Sequence, residues 1–336
     1  EEALRFALSV PNAPMPREGW PVALYAHGTG GDYLTFTREG VDLRAAAIEA
    51  PGGRLQARMA VLSIDQVLHG PRDPSQSSPD LTFFNLKNII AARDNPLQGA
   101  ADDFQLLRLA QVMSIDKAPE TGRPILFDLK RLYFIGHSQG GLTGPLFVSA
   151  APEIRAAVFS GAGAVLTLSL LNKKEPTDIQ ALVNGVLGEA ASPDHPLLTL
   201  LQAFFERTDP NNYGRLFFRE PPAGMAPKSV FQSLGVVDHY TPVPNILALA
   251  LSMGVQPMAP RLVELPGLAL SPTGLGWGAG AVSGNVGGGQ ATGVLRQYPQ
   301  QAERDGHFVL FDQWAARNDW SRFLAADIAE GRAAFF

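Results

Sequence analysis

The chain has 336 residues, 46% of them apolar, with a formal charge of -5 and no cysteine. That length leaves room for one large α/β domain with an insertion, or for two small domains. The mild negative charge argues against nucleic acid as a partner, and the missing cysteines exclude disulfides, thiolate metal sites and a cysteine nucleophile.

The opening Glu1-Glu2, with no initiator methionine, is read as a processed N-terminus. Apolar, β-prone runs at 4–10, 22–26, 60–64, 131–135, 156–160, 229–236 and 293–298 then alternate with helix-like stretches at 34–49, 99–113, 142–150, 242–253 and 312–328. Strands alternating with helices predict a mostly parallel central sheet flanked by helices. Most of the strand runs are continuously apolar, as strands covered on both faces must be. In the helix predicted at 99–113, Asp102 and Asp103 are expected in the first turn, where the helix dipole favours them. Two stretches break the alternation. Residues 166–219 read as amphipathic helices at 178–187 and 196–207, and are expected to form a lid between the core segments 1–165 and 220–336. Residues 270–292 are glycine-rich and must be a long mobile loop or a packed Ω-loop. No run reaches the roughly 18 uncharged apolar residues of a membrane span, so no stable membrane insertion is expected.

Chemistry concentrates at Gly136-His137-Ser138-Gln139-Gly140. A serine with glycine two residues away on each side, between a strand and a helix, has the pattern of a nucleophile elbow. The turn is too sharp for neighbouring side chains, and it holds the serine hydroxyl clear of the sheet. A serine needs a base, and the base needs an orienting acid. Of the six histidines, His307 in Arg304-Asp305-Gly306-His307 follows the last strand and precedes the closing helix, which suits the base. Asp238 ends the strand at 229–236, with Pro242 opening the next helix, which suits the acid. Asp305 reads as a turn or capping aspartate, and His239 as structural. The oxyanion of an acyl intermediate needs preorganised N–H donors. One is expected from Gln139, the other from the loop His27-Gly28-Thr29-Gly30-Gly31, with Thr29 first and Gly30 its rival by one position. His27 is expected to brace that loop, and His137 to be a buried packing residue. Asp65 and His69-Gly70-Pro71-Arg72 are read as a salt-bridged rim.

With these residues the chain resembles the α/β-hydrolase superfamily, whose serine esterases and lipases carry this elbow, acid and histidine in this order. A narrower resemblance to the bacterial extracellular lipase and lysophospholipase group rests on Phe84-Asn85, Arg93-Asp94-Asn95, Gln98 and Asp103. The resemblance implies an α/β-hydrolase fold with a helical lid insertion, and a Ser138, Asp238, His307 triad. It also implies no cofactor and no metal, a carboxylic-ester substrate, and a secreted, periplasmic or outer-membrane-associated location. Pro145, within the helix after the elbow, departs from good helix-forming sequence.

The insert is strongly apolar, and Leu198, Leu201 and Phe205 are expected to line a pocket for short or medium acyl chains. The same residues could equally pack the lid onto the domain. On this fold the triad also supports peptidases and acyl transfer, and a silent binding protein would keep the fold without the chemistry. A metal hydrolase has no support, since His-Glu-x-x-His spacing is absent. Oligomeric state leaves no mark on the sequence.

Overall fold

The structure is a computed structural model describing residues 2–47, 58–73, 75, 77–85, 87–118 and 122–336. In chain order the strands are β1 (Phe6–Ser9), β2 (Trp20–Ala26), β3 (Ala60–Ile64), β4 (Phe127–His137), β5 (Ile154–Ser160), β6 (Ser229–Gly235), β7 (Gln256–Met258), β8 (Val282–Ser283), β9 (Gly293–Tyr298) and β10 (Ala334–Phe335). The helices are α1 (Thr35–Arg38), α2 (Val41–Ala46), α3 (Pro79–Phe83), α4 (Ile89–Val112), α5 (Gln139–Val148), α6 (Leu166–Asn172), α7 (Ile179–Leu187), α8 (Pro196–Phe205), α9 (Val243–Met253), α10 (Val309–Asp312) and α11 (Trp314–Glu330).

Eight strands form one sheet in the order β1-β3-β2-β4-β5-β6-β9-β7. Only β1 runs antiparallel, pairing Phe6 with Ile64 on β3. Every residue of β2, β3 and β6 is buried, which explains their mostly apolar, charge-free sequences, with Ser63, Ser229, Gln232 and Ser233 as buried polar positions. The pleat sorts the side chains into two cores. On β4, Leu132 and Phe134 pack with Leu106, Phe147 and Ile246, whereas Tyr133 and Ile135 face the other way onto Phe36, Trp320 and Phe323. The carboxyl ends of β2, β4, β5, β6 and β9 thus converge on one rim, where open parallel sheets bind their ligands.

The predicted strands all form, with β4 longer at both ends than its apolar run. Several helices differ from expectation. The stretch from 34 splits into α1 and α2 at Gly40, whose φ of 67° cannot continue a helix; residues 48 and 49 of the predicted helix lie outside the described residues. Helix α4 starts at Ile89 rather than 99, capped by the Asn88 side chain accepting Ala91 N–H. Pro96, a poor interior residue, sits inside it. Asp102 and Asp103 therefore lie mid-helix, away from the dipole. They have other partners: Asp102 accepts Arg72 Nη1 at 2.7 Å and Asp103 accepts Thr143 Oγ1 at 3.3 Å. Burial, with Asp102 alongside, pushes the Asp103 carboxyl well above its ordinary range. The three-residue β7 carries Pro257, which hides a strand from sequence reading but suits the sheet edge where it lies.

The stretch 270–292 is a packed loop. Gly278 bridges to Met258, β8 pairs with β10, and Leu275 and Trp277 rest on the core. Among the described residues no helix is long and apolar enough to cross a membrane.

Candidate active site

Strand β4 ends at His137 and helix α5 begins at Gln139, so a single residue makes the turn. That residue, Ser138, has φ 54° and ψ -110°, a conformation that costs a side-chain-bearing residue about 1–3 kcal/mol. Its surroundings enforce it. Ser138 N–H donates to Ser160 O at 2.8 Å, and Leu142 N–H donates to Ser138 O at 3.0 Å. A Cβ on Gly140 would lie 2.1 Å from Ala26 O, and one on Gly136 would lie 2.4 Å from Gly140 O. Only glycine fits either place. Pro145 stays inside α5 without ending it, at the loss of the bond to Gly141 O.

The acid and the histidine come from two loops that cross in contact. A Cβ on Gly235 would lie 1.9 Å from Gly306 O, and one on Gly306 2.5 Å from Val236 O. Between them Val237 takes φ 66°, an outlier for a β-branched residue, and its carbonyl accepts Gly306 N–H at 3.2 Å. This crossing brings Asp238 Oδ2 to 2.9 Å from His307 Nδ1. The other carboxylate oxygen accepts the backbone N–H groups of Tyr240 and Thr241 at 2.9 and 2.7 Å. A carboxylate only accepts, so in the neutral imidazole Nδ1 carries the proton and Nε2 keeps the lone pair. The ring is 2% exposed as a side chain, stacked on Tyr240 at 4.9 Å between centroids and lying 4.7 Å from the His137 ring. Gly161, next to the Ser160 that holds Ser138, is so close that a Cβ there would sit 2.6 Å from His307 Cε1. Among the described residues no hydrogen bond joins Ser138 Oγ to His307. The dyad and the elbow are packed against each other, and in unliganded sites this last bond is commonly long.

A second pair crosses the same two loops. Asp305 accepts His307 N–H at 2.8 Å and pairs with His239 Nδ1 at 2.7 Å, with His239 N–H at 3.3 Å. Sequence reading had these two residues as separate structural pieces; together they clamp one loop to the other.

On the other side of Ser138, β2 leads into the glycine loop. A Cβ on Gly28 would lie 3.1 Å from Ser138 Cβ. Thr29 Oγ1 donates to Gln139 Oε1 at 3.1 Å, while Gly30 N–H donates to His69 Nε2 at 3.0 Å. The Gly30 N–H is therefore occupied. His27 donates from Nδ1 to Gly28 O at 2.8 Å and accepts Gln66 N–H on Nε2 at 3.1 Å. Burial, with His69 beside it, pushes His27 down to about 3, so it stays neutral. Burial, then His307, likewise holds His137 well below the ordinary histidine value. Both rings are structural, and His137 reaches Ser160 Oγ at 3.2 Å. The expected rim ion pairs form as Arg5–Asp65 at 2.6 Å and Arg72–Asp102 at 2.7 Å, but His69 belongs to the glycine loop instead.

The insert is helical throughout α6, α7 and α8 and holds a small core of its own. Leu198 is 1% exposed there, against Leu170 and Leu171, with Leu201 at the edge. Phe205 lies 5.5 Å from Phe204, whose own ring carries the Arg93 guanidinium at 4.5 Å. Leu198 and Leu201 thus meet one another; Phe205 meets Phe204. The insert is tied to the acid loop by Lys174 and Glu175 N–H groups donating to His239 O, both at 3.0 Å, and by Lys173 Nζ on Tyr240 O at 2.7 Å.

Sequence reasoning missed the loop crossing, the Asp305 clamp and the role of His69. A glycine directly before each loop's functional stretch, Gly235 and Gly306, was the available mark of the crossing.

No family model and no curated protein matches the chain. Solved structures do. An acetyl xylan esterase from Paenibacillus sp. R4 superposes with a TM-score of 0.52 at 13% identity, over 89% of this chain and 75% of that one. The 2,6-dihydroxy-pseudo-oxynicotine hydrolase gives a TM-score of 0.50 at 13% identity over 98% of this chain and 66% of the other. An acylaminoacyl peptidase also gives 0.50 at 13% identity, and here the chain spans 39% of the other's length. At such identity a likeness speaks for architecture, and the sheet order, the elbow at the end of β4 and these neighbours agree: the chain has the α/β-hydrolase fold.

Proposed function

We propose that the chain is a serine hydrolase acting on carboxylic esters through Ser138, His307 and Asp238. The observation that carries the reading is the buried Asp238–His307 pair packed against a strained serine at the elbow. His307 Nε2 takes the Ser138 proton as Oγ attacks the ester carbonyl, and Asp238 keeps the imidazole in the required tautomer. The negative oxygen of the tetrahedral intermediate lies between Gln139 N–H and Thr29 N–H, the latter favoured over Gly30 because Gly30 N–H already serves His69. The same imidazole returns the proton to the departing alcohol. Water, activated in turn by His307, then releases the acid from the acyl-serine. Esters are favoured as substrates by the resemblance noted above and by the acetyl xylan esterase among the structural neighbours. The acyl chain is assigned to the underside of the insert, where Leu201 and Phe205 are half-buried rather than sealed in. Leu198 supports that face from within.

The test is hydrolysis of p-nitrophenyl esters from C2 to C16 by wild type and by Ser138→Ala. Replacing the serine should lower kcat by about 10⁴-fold or more with the fold intact. Near-wild-type turnover in that variant removes the assignment. A wild-type protein inactive on every ester but active on acyl-peptides would turn the reading to a peptidase. Loss of chain-length preference in Leu201→Ala or Phe205→Ala checks the acyl face; unaltered preference in both overturns it.

A further inference from the structure

The loop after β3 is bonded to the glycine loop at three points, and one of its residues has no part in the reaction just described. Gly30 N–H donates to His69 Nε2 at 3.0 Å, Gln66 N–H donates to His27 Nε2 at 3.1 Å, and Tyr33 N–H donates to Asp65 Oδ1 at 3.1 Å. Gln66 also reaches His27 O through its side-chain amide and accepts Gln139 Nε2 at 3.4 Å. The imidazole of His69 is completely buried, and its other nitrogen, Nδ1, donates to Val67 O at 2.9 Å. A carbonyl only accepts, so the proton is on Nδ1 and Nε2 is an obligate acceptor. Leu68, directly before it, has φ 60°, a conformation unfavourable for a leucine and one that persists only where the surroundings over-determine it. Strain at Leu68 and two ring bonds thus fix one acceptor atom against one backbone N–H.

We propose that His69 is a positioning residue for the oxyanion hole: by taking up the Gly30 N–H it orients the 28–30 peptides so that Thr29 N–H, beside Gln139 N–H, is the donor left open to the substrate oxygen. The inference rests on the acyl-transfer reading above. Gly31 N–H donates to Gly28 O at 3.0 Å and closes the turn, but Gly30, at φ 83°, leaves the 29–30 peptide inside that turn able to rotate over, and the bond to His69 selects one of its directions. Oxyanion donors act because they are already aimed when charge develops. Loss of aim therefore shows in kcat and in affinity for an oxyanion mimic, and leaves ground-state binding nearly alone.

The experiment compares His69→Leu, His69→Gln and His69→Asn with wild type and Ser138→Ala on p-nitrophenyl butyrate, together with inhibition by an alkyl trifluoromethyl ketone, whose hemiketal oxygen occupies the oxyanion position. Glutamine presents an acceptor near the reach of Nε2; asparagine presents one nearer that of Nδ1; leucine presents none. The expected result is a fall in kcat of about 10–100-fold for His69→Leu, with KM within about twofold and ketone affinity falling in step with kcat. His69→Gln should regain most of both. Should His69→Leu not fold, the Gln and Asn variants carry the test, and Gln must exceed Asn in kcat by several-fold. Equal kcat in those two, or a folded His69→Leu with wild-type kcat, overturns the proposal. A merely structural role would lower thermal stability in all three without changing the ratio of ketone affinity to KM. If Ser138→Ala retains activity, the acyl-transfer reading fails instead; if that variant is inactive while His69→Leu is not, only the His69 inference fails.

Discussion

The sheet rim and the helical insert hold their residues in place by different means. At the rim, backbone meets backbone: the elbow, the loop crossing and the glycine loop leave no volume for a methyl group at Gly140, Gly136 or Gly235. In the insert, side chains meet side chains. Leu170, Leu171 and Leu198 make a cluster separate from the two large cores, while Leu200 on α8 and Val186 on α7 are 67% and 84% exposed. Steric exclusion specifies one residue type at one position. Hydrophobic self-packing specifies only a pattern, which many leucines satisfy. The rim can therefore carry chemistry that depends on fractions of an ångström, while the insert is free to vary in detail.

The largest effect expected from this contrast is at the rim. Gly140→Ala places its Cβ 2.1 Å from the Ala26 carbonyl oxygen, and neither backbone can yield without moving β2 from β4. The cost should exceed the upper end of ordinary overpacking, about 3 kcal/mol, and soluble folded yield should collapse. Thermal melts of any protein recovered would measure it; a melting temperature near wild type would break the comparison at its stronger side. Next comes Leu198→Ala in the insert. Removing a side chain that is 1% exposed should cost about 2–4 kcal/mol, but the loss should stay local. Hydrogen exchange should speed up at amides of α6, α7 and α8 and stay unaltered in β4. Equal acceleration in β4 would mean that the insert and the sheet unfold as one unit.

The same contrast explains what the sequence disclosed. Strand runs were legible because both faces of β2, β3 and β6 are buried and none of the three carries a charged residue, the few polar ones (Ser63, Ser229, Gln232 and Ser233) being buried with the rest. The elbow turn was legible because its glycines are sterically compelled, and the pairing of Asp238 with His307 because each ends or follows a strand of the right order. Helix ends were less so. The Asn88 cap starts α4 ten residues earlier than predicted, with Pro96 inside the helix. The capping role of Asp305 was legible, but its bond to His239 and the partners of Asp102 and His69 were not, because each depends on a residue distant in sequence: His239, Arg72 and Gly30. Nothing local marks a residue whose only significance is what a distant loop brings beside it. Leu198 illustrates the remaining ambiguity, since an apolar helix face looks the same whether it awaits a substrate or another leucine.

Asp305→Ala sharpens the comparison within the rim. It removes the clamp from His239 and the cap on His307 N–H but touches neither the Asp238–His307 bond nor any reacting atom. The Gly235–Gly306 crossing remains, so the fold should hold and kcat should fall by roughly tenfold through a looser imidazole. Steady-state kinetics on a short p-nitrophenyl ester check this. An unaltered kcat would mean that the glycine crossing alone sets the dyad.

The smallest effect should come from Leu200→Ser, two residues from Leu198 on the same helix. Leu200 is 67% exposed, so most of its apolar surface stays in water after folding and contributes little transfer free energy. What remains is the difference in helix propensity between leucine and serine, a few tenths of a kcal/mol. The change in stability should therefore be within about 0.5 kcal/mol by denaturant unfolding. Leu198→Ala slightly raises the helix propensity of α8 and Leu200→Ser lowers it, so a larger cost at Leu198 can come only from burial inside the insert. If Leu200→Ser proved as costly as Leu198→Ala, the exposed face of α8 would have to be covered in solution.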